Sequence, residues 1–112
     1  MDADLGTTNR VSTEELIRDE IISRLQRGQT AFKIKMDLGL PWNIVEDAIK
    51  VSGLDMSLEA QYQRWLDHEA YLVDDRLINN IHPHLVAQQD RIPGEWVIRY
   101  AKGIRLRKQY IR

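Results

Sequence analysis

What most constrains this chain is the helical rhythm of its apolar side chains, interrupted again and again by a glycine or a proline. Ser12 followed by Glu15 makes a capping box, after which Leu16, Ile17, Ile21 and Leu25 recur at helical spacing until Gly28. Thr30 can cap a short helix carrying Phe32, Ile34 and Leu38, and Gly39 supplies the positive φ that ends it. Pro41 fits the first turn of a third helix, whose buried stripe is Val45, Ala48 and Ile49 and which Gly53 closes. Ser57 caps a longer helix. In it Leu58, Tyr62, Trp65, Leu66, Leu72, Val73 and Leu77 hold the rhythm for about five turns, as expected of a central or dimerising helix. Pro83 interrupts, a short segment with Leu85, Val86 and Ala87 follows, and Pro93 opens a last helix with Trp96, Val97, Tyr100, Ala101 and Ile104 on one side. Alternation is confined to "IRLRK", the sole support for a β-hairpin wing. The expected fold class is all-α, a compact multi-helix domain.

Length and composition narrow the options further. A chain of 112 residues suits one small domain or two very small modules sharing a core, which argues against a large cleft. Its 43% apolar and 29% charged residues are the balance of a globular protein. With no cysteine, neither disulfides nor thiolate metal sites hold it together, so stability must come from packing. The acidic start "MDADLGTTNR" lacks the order of a signal peptide, and no apolar run approaches membrane-spanning length. A cytoplasmic protein with no membrane association is expected, with residues 1–11 as a flexible N-terminal segment.

The near-neutral net charge of −1 conceals a polarity. Residues 96–112 contain Arg99, Lys102, Arg105, Arg107, Lys108 and Arg112 and no acid, whereas the rest of the chain holds 10 basic against 17 acidic residues. A basic end interleaved with Trp96, Tyr100 and Tyr110 suits a polyanion, and an acidic body keeps the remaining surface away from it. The plainer alternative is a solvated terminal helix whose cations satisfy its last carbonyls.

Two segments echo one another. When "AFKIKMDLGLPWNIVEDAIK" (31–50) is set against "PHLVAQQDRIPGEWVIRYAK" (83–102), a shift of 52 residues, Ile34 falls on Val86, Leu40 on Ile92, Pro41 on Pro93, Val45 on Val97 and Lys50 on Lys102. Each segment follows a longer helix opened by a serine cap, Ser12 or Ser57. Both segments resemble the helix-turn-helix superfamily of DNA-binding proteins, in which a short helix, a tight turn and a second helix are fixed by a few apolar contacts. In the first copy Gly39, Leu40 and Val45 fit that pattern, but Lys35 stands where the family has a small residue. In the second copy Ala87, Ile92 and Val97 fit, and Arg91 replaces the turn glycine. The resemblance implies two helix-turn-helix-like modules around the long central helix, the first over 12–53 and the second over 57–112 with the basic C-terminal helix.

The two second helices differ in chemistry. The first exposes Trp42, Asn43, Glu46, Asp47 and Lys50, and its carboxylates would repel phosphate. The second offers Arg99, Lys102, Arg105, Arg107, Lys108 and Arg112 for phosphates or, through a planar guanidinium, for a guanine edge. The three histidines, His68, His82 and His84, include a pair at i, i+2 around Pro83, but a third metal ligand is wanting. The acids at 67–69 and 74–75 read as a solvated helix face, and the chain has neither a phosphate loop nor a nucleophile motif. The sequence therefore points away from an enzyme and away from metals or other cofactors. The expected function is a small transcriptional regulator that binds double-stranded DNA and associates as a homodimer. The alternative is a helical interaction protein or accessory subunit, with Trp42 and Trp65 anchoring a protein partner.

Overall fold

The computed structural model describes residues 12–111, with side chains to 104; residues 1–11 and Arg112 lie outside the described residues. The architecture is all-α, seven α-helices and one 3₁₀ turn with no strand among the described residues. The helices are α1 (Thr13–Gln26), α2 (Ala31–Leu38), α3 (Trp42–Ser52), α4 (Leu58–His68), α5 (Asp74–Ile78), α6 (Pro83–Asp90) and α7 (Gly94–Ile111), with the 3₁₀ turn Ala70–Val73 between α4 and α5. The "IRLRK" stretch continues α7, so no wing forms there.

The helix ends follow local chemistry. The Ser12 hydroxyl accepts from the Glu15 amide while Glu15 accepts from the Ser12 amide, completing the capping box. Thr30 and Ser57 accept from Lys33 and Ala60 at the starts of α2 and α4. Gly39 and Gly53 take the left-handed conformation at φ 65° and 67°. Pro41 sits one residue earlier than the spacing suggested, as the extended residue before α3.

The largest departure from the sequence reading concerns the long central helix. It is not continuous: α4 stops at His68, Glu69 takes φ −125° and ψ −16°, and the chain resumes as the 3₁₀ turn and α5. Neither glycine nor proline marks the break. Instead the Glu69 carboxylate is held by Arg27 (3.4 Å) and by the Gln29 amide (3.3 Å), both from the loop after α1. The break re-aims the following turn, so that Ala70 and Val73 are buried while Leu72 and Tyr71 are exposed.

Two buried clusters result. One gathers Ile21, Leu25, Ile34, Val45 and Ala48 from α1, α2 and α3. The other gathers Tyr62, Trp65, Ala70, Val73, Val86, Ala87, Trp96 and Val97 from α4 onwards. They meet at Gly28, whose backbone lies against that of Trp65. Beside this contact the Arg64 Nε donates to the Leu25 carbonyl at 3.1 Å, and Arg91 forms an ion pair with Asp37.

The echo in sequence is an echo in geometry. Displaced by 52 residues, the amides of Gly28 and Asn80 donate to Leu25 and Leu77, those of Gln29 and Ile81 to Arg24 and Arg76, those of Leu40 and Ile92 to Lys35 and Ala87, and those of Ile44 and Trp96 to Pro41 and Pro93. Arg91 adopts φ 55° and ψ 48°, the same left-handed region as its counterpart Gly39. Ile21 and Val73, Ile34 and Val86, and Val45 and Val97 are fully buried pairs in the same register. In this register α1 corresponds to residues 65–78, not to a helix opening at Ser57, so α4 begins before the repeated unit and the pairing of Ser12 with Ser57 does not hold.

Candidate nucleic-acid interface

The segment best equipped for a polyanion is α7, which follows α6 and the left-handed turn at Arg91. Pro93 precedes its first turn, and Trp96, Val97, Ala101 and Ile104 anchor one side of it in the core. That orientation leaves Glu95, Arg99, Lys102 and Gly103 exposed. Ala87 is buried at the place where the helix-turn-helix pattern has a small residue. In the first module Lys35 is half-buried there, its ammonium 5.6 Å from the centre of the Trp42 ring, which lets a long side chain occupy a small residue's position by turning outwards.

Arg99 is fixed by aromatic and acidic neighbours. Its guanidinium carbon lies 4.0 Å from the centre of the Tyr62 ring, and Nη1 stands 3.5 Å from the exposed Glu59 carboxylate. Burial raises the Tyr62 hydroxyl's pKa, with Glu59 adding to this and the Arg99 charge opposing it. Lys102 follows one turn later on the solvent side. The side chains of Arg105, Arg107 and Lys108, and the whole of Arg112, lie outside the described residues, though the α7 backbone remains helical to Ile111.

Of the two tryptophans expected to anchor a partner, Trp42 is 45% exposed and Trp65 is 2% exposed. Trp65 cannot serve as a surface anchor. Its ring is 5.9 Å from Trp96, 6.0 Å from Tyr62 and 5.5 Å edge-on from Tyr100, inside an aromatic cluster that joins α4 to α7. Tyr100 also donates its hydroxyl to Asp74 at 2.6 Å.

On α3 the exposed residues are Trp42, Asn43, Glu46, Asp47 and Lys50, as its amphipathic pattern implies, together with Val51. His82 caps α6 by accepting the His84 amide, and the two rings stack 5.3 Å apart. Among the described residues, no helix is long and apolar enough to cross a membrane.

Several polar links escaped the sequence reading because their partners are distant in the chain. Arg76 makes a two-pronged contact with Asp90 (2.6 and 3.0 Å), tying α5 to the end of α6, and the hydrogen bonds to Asp90 raise its pKa further. Asp37 receives both Lys33 and Arg91. Burial works to raise its pKa, but the hydrogen bonds from these two cations outweigh burial and hold the carboxyl below its usual value. No protein-family model, curated protein or solved structure matches the chain.

Proposed function

We propose that this protein is a small transcriptional regulator of helix-turn-helix type that binds double-stranded DNA through α7. The observation that carries the reading is the placement of Arg99 and Lys102, exposed one turn apart on the helix after the turn, within a run from 96 to 112 that has six cations and no acid. A helix so charged draws in duplex DNA by releasing counterions from the phosphates. Arg99 and Lys102 are then the candidates for base edges near the start of the helix, and Arg105, Arg107, Lys108 and Arg112 for flanking phosphates. Stacking on Tyr62 orders the Arg99 guanidinium, and the exposed Glu59 contact is weak enough to exchange for a nucleic-acid acceptor. Asp47 at the position matching Arg99, with Glu46 beside it, assigns the first module a supporting role.

The test is a mobility-shift titration of duplex fragments at two salt concentrations, with wild type and a variant neutralised at Arg99, Lys102, Arg105 and Lys108. Binding that weakens steeply with salt and is lost in the variant supports the proposal. Binding that survives the fourfold neutralisation removes α7 as the DNA surface. The second reading, a protein-interaction module, has one observation in its favour: Trp42 is exposed, and so are Phe32 and Met36 on the preceding helix.

A further inference from the structure

The 52-residue register allows the two modules to be compared site by site, and one place differs sharply. In the second module the α7 residues Trp96, Arg99 and Tyr100 pack against rings of α4, whose Tyr62 and Trp65 lie 5.8 and 5.9 Å from Trp96. Their counterparts on α3 are Ile44, Asp47 and Ala48. These side chains are smaller than the rings and guanidinium they match. Together with Leu40 and the start of α1 they line an open groove of about 300 Å³. Its apolar floor is Ile17, Leu40, Ile44 and Ala48, and its rim carries Glu14, Glu15 and Asp47 against the single cation Arg18.

We propose that this groove receives the basic C-terminal arm of a second copy of the chain. Charge picks out the arm. A rim rich in carboxylates favours a cationic helix, and residues 105–112, "RLRKQYIR", hold four cations and no acid. The described α7 backbone continues as helix through Ile111, beyond Ile104, the last buried anchor among the described side chains. Leu106 and Tyr110 stand four positions apart on that arm, the spacing that gives one helix two apolar contacts on one face. The second module shows the same docking mode within one chain, with a helix laying two large side chains about a turn apart against this wall of the motif. The contact is small and charge-assisted, so it is weak, reversible and salt-sensitive. It does not rest on the DNA reading, because it is measured without nucleic acid and the groove residues are not on α7.

The experiment is sedimentation equilibrium of the full chain at rising protein concentration, with charge-reversed partners. The wild type is expected to gain mass with concentration and to lose that gain in high salt. A groove variant, Glu14→Lys with Asp47→Lys, and an arm variant, Arg105→Glu with Lys108→Glu, are each expected to weaken self-association about tenfold or more. Mixing the two reversed variants restores it, since the reversed groove meets the reversed arm. Glu14 and Asp47 are exposed, and circular dichroism checks the helix content of each variant. Should the lysine variant lose helix, Glu14→Gln with Asp47→Asn takes its place, with a smaller loss expected. A monomer at every concentration overturns the proposal, as does association that ignores both reversals. Association that appears only after residues 1–11 are deleted also overturns it, by assigning the groove to the chain's own N-terminal segment.

Discussion

Gly28 and Trp65 touch backbone to backbone: a methyl group placed on Gly28 would lie 2.2 Å from the Trp65 amide nitrogen and 2.4 Å from its Cα. Gly28 also has φ 91°, a conformation that L side chains rarely adopt. Gly28→Ala is therefore expected to cost at least about 3 kcal/mol, combining backbone strain with the separation of two elements that cannot relax by a rotamer change. Gly39→Ala, at φ 65° with nothing near the added carbon, should cost about 1–2 kcal/mol. Urea unfolding of the two variants compares them, and equal losses would show that the Trp65 contact adds nothing.

The aromatic cluster gives a second expectation. Trp65→Ala removes a buried ring and should destabilise the fold by about 3–5 kcal/mol, whereas Trp42→Ala should stay within about 0.5 kcal/mol. Chemical denaturation followed by far-ultraviolet circular dichroism separates them. A small effect at Trp65 would contradict its placement in the core.

Asp37 predicts a pH dependence of known sign. Its carboxyl is held below its usual value in the folded chain, so its contribution is fully present above the ordinary aspartate pKa of about 3.9 and is lost as pH falls through the depressed folded value. The stability gap between wild type and Asp37→Asn should be flat from about pH 5 to 8 and close below about pH 4. Denaturation midpoints of both proteins across that range provide the check, and a gap that widens in acid would reverse the assignment.

Arg91 holds a left-handed conformation at a cost of about 1–2 kcal/mol and contributes an exposed ion pair to Asp37 that stabilises by about 0–1 kcal/mol. Arg91→Gly should accordingly raise stability by about 0.5–1 kcal/mol. A fall in the denaturation midpoint would mean that the bridge between the modules outweighs the strain.

For DNA, Arg99 and the later cations should separate. Arg99→Ala is expected to cost about 1–3 kcal/mol on a preferred site and less on others, and Arg99→Lys should fail to restore that preference because lysine lacks the planar fork. Neutralising Arg105 and Lys108 should weaken all sequences alike and flatten the salt dependence by roughly one to two units of slope. Titrations on ranked sites at several salt concentrations measure both, and uniform losses at Arg99 would reassign it to the backbone.

The sequence was most informative where the determinants are neighbours in the chain. Ser12 with Glu15, Thr30, Gly39, Gly53, Ser57 and Pro83 mark helix ends because a cap needs a side chain only two or three residues from the amide it serves. The break at Glu69 has no such mark. Its holders, Arg27 and Gln29, lie some forty positions away, so the apolar rhythm alone runs through it, and Leu72 is placed on the wrong side. The turn at Arg91 was legible only through its register with Gly39, since nothing in arginine itself favours positive φ. Trp42 and Trp65 look alike as anchors in the sequence, and packing alone tells them apart. The exposed face of α7 could be read from its stripe, but the Tyr62 ring beneath Arg99 could not.

Each buried cluster is drawn from an uninterrupted run of the chain, the first complete before the second begins. Contacts of that kind close short loops, so the entropic search for each is brief and folding should be fast for a protein of this size. During synthesis the first cluster can assemble while the second half is still emerging, because domains form from the N-terminus as units. The loop after α1 is then already in place when Glu69 arrives. Stopped-flow refolding should show this as an early phase that Ile34→Val slows and Val97→Ala leaves alone.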